Sequence, residues 1–138
     1  MSEVLPPDYR PSNDEPYMNP MMLEYFRQKL LSWRAELLRG SGETLAQLKE
    51  EQLMEPDIAD RASRETDRSL VLRTRDRERK LVSKIDSALK RIEADDYGYC
   101  EDTDEPIGIS RLEARPIATM SLEAQERHER MEKTHRDE

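Results

Sequence analysis

The chain has 138 residues, 35% of them hydrophobic and 39% charged, and its 23 basic and 31 acidic residues leave a net charge of −8. An apolar share well below the roughly one half of a compact globule leaves two options: partial disorder, or long helices that bury a narrow stripe. The acidic balance argues against nucleic-acid binding over the whole surface; the single cysteine, Cys100, excludes an internal disulfide and an all-cysteine zinc site within one chain; and no stretch nears the roughly 20 apolar residues of a bilayer span.

The opening Met1-Ser2-Glu3-Val4-Leu5-Pro6-Pro7 has neither a basic n-region nor an apolar h-region, so it does not read as a secretion signal, and a cytoplasmic chain is expected. Residues 1–18 carry Pro6, Pro7, Pro11 and Pro16 among polar residues. Proline lacks an N–H and restrains the residue before it, which predicts an extended or disordered arm. Asn19-Pro20 reads as a helix start, with Asn at the N-cap and Pro at the first helical position. Phe26, Leu30, Trp33, Leu37, Thr44 and Leu48 then recur at spacings of three and four or their sum, the narrow stripe of a coiled coil.

Gly40-Ser41-Gly42 interrupts that stripe, but it resumes in the same phase, so a weakened and continuous helix is expected. Glu55-Pro56-Asp57 closes the first arm, and Asp60 fits as the N-cap of a second helix to about Ala94, its apolar positions being Leu70, Leu81, Ile85, Ala88 and Ile92. Two long helical runs joined by a short acidic turn predict an antiparallel coiled-coil hairpin over residues 19–94, with its tip at about 54–62. At a rise of 1.5 Å per residue each arm would be on the order of 50 Å long. Asp95-Asp96-Tyr97-Gly98-Tyr99 breaks the helix, Ile107-Gly108-Ile109 to Pro116 has the turn residues of a small β-hairpin or ribbon, and Ser121 can cap a last helix from Leu122 to about Thr134. The fold class is therefore mainly α: a long hairpin, and a small globular segment over 95–138.

Several of these runs carry a family resemblance. Asp57-Ile58-Ala59-Asp60-Arg61-Ala62 is similar to the D-x-x-D-x-A tip signature of the DksA/TraR family, and Arg73-Thr74-Arg75-Asp76-Arg77-Glu78-Arg79-Lys80-Leu81 resembles its second coiled-coil arm. Tyr97-Gly98-Tyr99-Cys100 and the run from Ile107 through Ser110-Arg111-Leu112-Glu113-Ala114-Arg115-Pro116 resemble its zinc-finger segment, the most specific part of a match that extends from about Pro20 to the end. The resemblance implies a transcription factor that enters the secondary channel of RNA polymerase, places its tip near the active site and trigger loop, and reads no DNA sequence. It further implies altered open-complex lifetime at stable-RNA and amino-acid promoters, together with guanosine tetraphosphate (ppGpp) in nutrient stress. It implies no enzyme activity and no membrane, and a monomer is expected.

The resemblance assigns Asp57, Asp60, Arg61 and Ala62 to the polymerase-binding tip. Residue chemistry alone allows a plainer role for the two acids, capping backbone N–H groups at a helix start. Arg77 is the first candidate for a polymerase contact on the arm; the alternative is a solvated helix face laced by ion pairs such as Asp76 with Lys80 or Arg73. The positions matching the family's ppGpp site are Leu81, Lys84 and Arg115, where a Lys point charge and an Arg fork suit pyrophosphate. Lys84 also reads as an ordinary coil charge, and Arg115 as a salt-bridging residue. A basic family residue on the last helix is Gln125 here, which removes one cationic contact.

The departure is sharpest at the metal. The family pattern C-x2-C-x17-C-x2-C falls here on Cys100, Thr103, Ser121 and Ala124. Hydroxyls stay protonated near neutrality and alanine has no donor, while His128 and His135 lie seven apart on a predicted helix, too far along the axis to share one ion. No structural zinc is expected. Packing by Tyr97, Tyr99, Ile107, Ile109, Leu112, Ile117, Met120 and Leu122 would replace it, with Cys100 a buried small hydrophobe whose neighbours Glu101 and Asp102 disfavour a thiolate. Two other functions stay open: a transcript-cleavage accessory, whose acidic tip would recruit a metal ion, and a charged coiled-coil adaptor unrelated to polymerase.

Overall fold

The computed structural model describes residues 4–52 and 58–137, which fold into four helices: α1 (Pro20–Gln52), α2 (Ile58–Glu93), α3 (Ile109–Ala114) and α4 (Leu122–Asp137). The start of α1 is built as its sequence predicts. The Asn19 side-chain oxygen accepts the Met22 N–H at 2.9 Å, its carbonyl accepts Leu23 N–H at 3.0 Å, and its amide donates to Glu15 at 2.8 Å, which orients the cap. The helix then continues through Gly40 and Gly42 without a break. The expected N-cap at Asp60 is corrected: α2 begins at Ile58, so Asp60 is already its third residue.

Two compact units divide the chain. One holds the described residues up to Leu30 and from Ser87 onward; the other lies within Leu31–Asp86. In the first unit, Met22, Phe26, Ala88, Tyr97, Cys100, Leu112 and Ala124 are all at or below 1% exposure, a core drawn from α1, α2, α3, α4 and the loop after α2. Ring edges run through it: Tyr25 meets Phe26 with centroids 5.2 Å apart, and Phe26 meets Tyr97 at 5.6 Å. The Tyr97 hydroxyl spends its polarity on the carbonyl of Pro116 at 2.8 Å.

The arm before α1 is not extended or disordered over its described part. It turns at Pro6, whose carbonyl accepts Tyr9 N–H at 3.1 Å, and Tyr9 lays its ring edge-on to Tyr25 at 6.0 Å while donating its hydroxyl to Glu15. Tyr17 then donates to the Gly98 carbonyl at 2.6 Å and accepts the Gly108 N–H at 3.0 Å. Aromatic side chains with polar tips bind the arm where proline content alone predicts none of it.

The expected β-ribbon is also corrected. Among the described residues there is only an isolated antiparallel bridge, Tyr99 with Pro106, and the segment beyond it is helix α3. Gly108, at φ +105°, turns the chain into that helix, and the i,i+3 pair Ile109 and Leu112 buries one side of it. Of the proposed packing residues, Tyr97, Ile107, Ile109, Leu112 and Ile117 are buried, whereas Tyr99 is exposed and Leu122 stands 56% exposed at the start of α4. Ser121 caps α4 as expected, its hydroxyl accepting Ala124 N–H at 3.2 Å.

The second unit is far thinner. Ile85 is its one buried apolar residue among those described, with Trp33 and Leu37 half-buried. Leu70, expected on the apolar stripe, is 54% exposed, and the next residue, Val71, turns inward with Thr74, Arg75 and Glu78. A shift of one residue rotates a helix face by about 100°. Arg34 and Asp86 pair at 2.8 Å, so α1 and α2 lie side by side at that level.

A Cβ added at Gly40 or Gly42 would meet nothing within 4 Å, while at Gly98, where φ is +96°, it would lie 2.9 Å from the Met18 side chain. Gly40→Ala and Gly42→Ala should each stabilise the chain by about 0.5–1 kcal/mol, and Gly98→Ala should destabilise it by more than that; thermal or urea melts of the three variants check both signs.

Candidate functional site

Residues 68–80 of α2 hold Arg68, Arg73, Arg75, Arg77, Arg79 and Lys80 against Asp76 and Glu78, six cations to two acids, a net +4 within a chain of −8. Helical geometry distributes these charges round the axis. Asp76 draws Arg79 and Lys80 to itself, the latter at 3.3 Å, and both hold its carboxyl below the usual range. The predicted Asp76–Lys80 pair is therefore present; an Asp76–Arg79 pair takes the place expected for Arg73. Arg77 is exposed. On another side Leu38 of α1 and Leu72, Arg75, Asp76, Arg79 and Val82 of α2 line an open groove of about 330 Å³.

The tip residues divide in two. Asp57 lies outside the described residues, as does the link from 53 to 56; Asp60, Arg61 and Ala62 lie in the first turns of α2, where unsatisfied backbone N–H groups favour acids. Of the positions matched to ppGpp, Leu81 is half-buried and Lys84 exposed in one compact unit, while Arg115, exposed just after α3, and Gln125 belong to the other. Gln125 donates to Glu129 at 3.1 Å.

The residues at the expected metal positions do converge. The Cys100 N–H donates to the Glu105 carbonyl at 2.7 Å, its carbonyl accepts Asp104 N–H at 2.8 Å, and Glu101 N–H reaches Thr119 at 2.9 Å, closing a tight knuckle below α4. The thiol is 1% exposed and faces the Thr103 hydroxyl and the Ser121 N–H. Ala124 fills the fourth place with a fully buried methyl. His128 instead approaches Asp102 at 3.5 Å. One thiol, two hydroxyls and a methyl do not fit a zinc ion, which takes thiolate, imidazole or carboxylate ligands.

Burial pushes the Cys100 thiol up, but the Thr103 hydroxyl and the N–H groups of Ser121, Asp102 and Thr103 outweigh it and bring the group down to about 7. Asp102, expected to disfavour a thiolate, instead supplies through its backbone one of the hydrogen bonds that favour it. A thiol ionising more readily folded than unfolded adds stability that is complete above the unfolded value of about 8.5 and is lost as pH falls through about 7. The stability gap between wild type and Cys100→Ala should accordingly widen between pH 6 and pH 9, read from melts at each pH.

Sequence comparison places these features among known proteins. The model described as DnaK suppressor protein DksA, N-terminal domain, matches residues 22–92, and that of the prokaryotic dksA/traR C4-type zinc finger matches residues 95–130, of whose four thiols this chain has one. The RNA polymerase-binding transcription factor DksA of Caulobacter vibrioides is 67% identical over 130 residues, covering 94% of this chain and 92% of the relative. Its namesake from Escherichia coli K12 is 44% identical over 115 residues, 83% of this chain and 76% of that one. Transcription factor DksA2 from Pseudomonas aeruginosa superposes with a TM-score of 0.81 at 41% identity, over 87% of this chain and 95% of that structure. With both family models matched in order and such identity over most of its length, this chain belongs to the DksA/TraR family.

Proposed function

We propose that the chain is a transcription factor that binds RNA polymerase in the secondary channel and changes open-complex lifetime at stable-RNA and amino-acid promoters. The observation that carries this reading is identity of 44–67%, over most of the chain, to relatives named RNA polymerase-binding transcription factors. Residues 19–94 act as a coiled-coil hairpin that delivers Asp57, Asp60, Arg61 and Ala62 to the catalytic region, and Arg77, exposed on a strongly cationic stretch, meets acidic groups of the enzyme. It acts by binding and not by catalysis, as a monomer in the cytoplasm. Among the described residues, no helix is long and apolar enough to cross a membrane.

The carboxylates at the tip work by where they are put. A charge inside a narrow, partly dehydrated channel interacts far more strongly than in bulk water. Two aspartates near the trigger loop therefore bias its positions with little need for affinity of their own. Leu81, Lys84 and Arg115 are the positions proposed for ppGpp, where an ammonium and a guanidinium suit its phosphates. Gln125, already hydrogen-bonded to Glu129, adds no charge there. Asp57→Asn should leave the affinity for polymerase within about twofold but remove the effect on a stable-RNA promoter in a purified transcription assay. Unchanged regulation would sink the tip assignment.

The knuckle is zinc-free in this reading. The Cys100 thiol is hydrogen-bonded within the protein to Thr103 and Ser121, and the buried Ala124 has no donor atom to offer a metal. Structural zinc contributes many kcal/mol to the folding of small metal domains, so its loss is easily seen. A strong chelator should leave the melting temperature within about 1 °C, and elemental analysis of purified protein should find well under one zinc per chain; a large drop in stability would show a bound metal.

A further inference from the structure

Helix α3 is held at both ends by side chains from the arm and from α1. Its six residues are too few for a helix to stand alone in water, so it takes its position from its contacts. At its start the Gly108 N–H donates to the Tyr17 hydroxyl at 3.0 Å, and that hydroxyl donates in turn to the Gly98 carbonyl at 2.6 Å. Near its end the Glu113 carboxylate accepts from Lys29 at 2.7 Å. The Tyr25 hydroxyl and the Arg10 guanidinium also face that carboxylate. Burial raises the Glu113 carboxyl, but Lys29 and Tyr25 outweigh it, and the group ionises below its usual range. Tyr9 lies edge-on to Tyr25, so the proline-rich arm joins the same assembly.

What this brace fixes is the residue that follows α3. The Arg115 N–H donates to the Arg111 carbonyl at 2.7 Å, and its own carbonyl accepts the Ala118 N–H at 3.0 Å. The next carbonyl, that of Pro116, accepts the Tyr97 hydroxyl. The backbone is thus pinned on both sides of Arg115 while its side chain is exposed. Among the described residues, no carboxylate pairs with its guanidinium. A guanidinium grips a phosphate through two parallel N–H bonds, which form over a narrow range of positions. A displacement of about 1 Å is enough to lose them. We infer that Tyr17, Lys29 and Glu113 are positioning residues for ppGpp: they touch no ligand, but hold α3 so that Arg115 meets a phosphate. The inference rests on the proposed ppGpp role of Arg115, and gives the arm and α1 a part in that role through α3.

The test uses the full chain bound to core RNA polymerase, with fluorescent ppGpp as the probe and the signal of polymerase alone subtracted. Tyr17→Phe and Lys29→Met should each weaken the ppGpp binding that the chain adds by about threefold or more. Their affinity for polymerase without ppGpp should stay within about twofold, since well-separated sites act independently. Lys29→Arg keeps the ion pair and should bind ppGpp as wild type. Lys29→Met combined with Glu113→Gln should be no worse than Lys29→Met alone, because both break one link. Glu113→Gln by itself reads the same link where Lys29→Met does not fold. Ile92→Val trims the core of the same unit and should lower the melting temperature without moving ppGpp affinity. An equal loss of ppGpp in that variant reduces the effect to general loosening and overturns the inference. Arg115→Ala is read beside them. Loss of ppGpp in Arg115→Ala, with wild-type binding in Tyr17→Phe and Lys29→Met, overturns the brace alone. Wild-type ppGpp binding in Arg115→Ala overturns the ppGpp reading and the brace with it.

Discussion

The hydroxyl of Tyr97 meets the carbonyl of Pro116 inside an apolar core, and the folding of everything after α2 depends on that contact and the packing around it. A phenol there is held well above its ordinary pKa, chiefly by burial, so it stays a neutral donor throughout the physiological range. It spans 19 residues of chain and ties the end of the α2 turn to the segment after α3. Phe26 on one side and the Tyr17 hydroxyl, bridging Gly98 and Gly108, on another complete a clasp made of aromatic bodies with satisfied polar ends. A zinc ion holds a knuckle through four strong bonds. In the zinc-free reading proposed above, the same stretch is held by many weak contacts, each demanding close fit, in keeping with the clustering of fully buried side chains in so small a unit.

The two units are built for different work. One buries residues from five separate stretches of chain and fixes their carbonyls and N–H groups with specific partners. The other, across residues 31–86, puts Thr74, Arg75 and Glu78 where a stable coil would place apolar side chains. A seam of that kind contributes little hydrophobic stabilisation, since burial of apolar area is the main favourable term in helix pairing. Leu38, Leu70 and Leu72 stay exposed along it instead.

Much of this was legible in the residues. Asn19-Pro20 and Ser121 announce helix starts through chemistry that is local and therefore reliable, and the hydrogen bonds to Met22 and Ala124 follow. The buried positions Phe26, Leu30, Ile85, Ala88 and Ile92 were all on the predicted stripe. The failures have a common cause. Leu70 was placed inside because leucine is apolar, yet periodicity is ambiguous where polar residues fill the seam. The stretch Ile107-Gly108-Ile109 reads as a strand because nothing local says that Gly108 is about to enter a helix. The proline-rich arm was misread because its order comes from Tyr9 and Tyr17, whose partners lie far along the chain or depend on a turn. The tip acids and the arm charges were proposed only by resemblance; spacing by itself could not separate Arg77 from its cationic neighbours.

Charge separation along the chain links these levels. A protein with a net charge of −8 is repelled at long range by DNA and RNA, which removes the nonspecific binding that a cationic stretch would otherwise bring. Within roughly a Debye length, about 8 Å at physiological salt, an approaching surface feels residues 68–80 rather than the whole, and these are positive. Residues 68–80 therefore present a local field opposite in sign to that of the chain as a whole, which draws an anionic partner at close range and not from a distance.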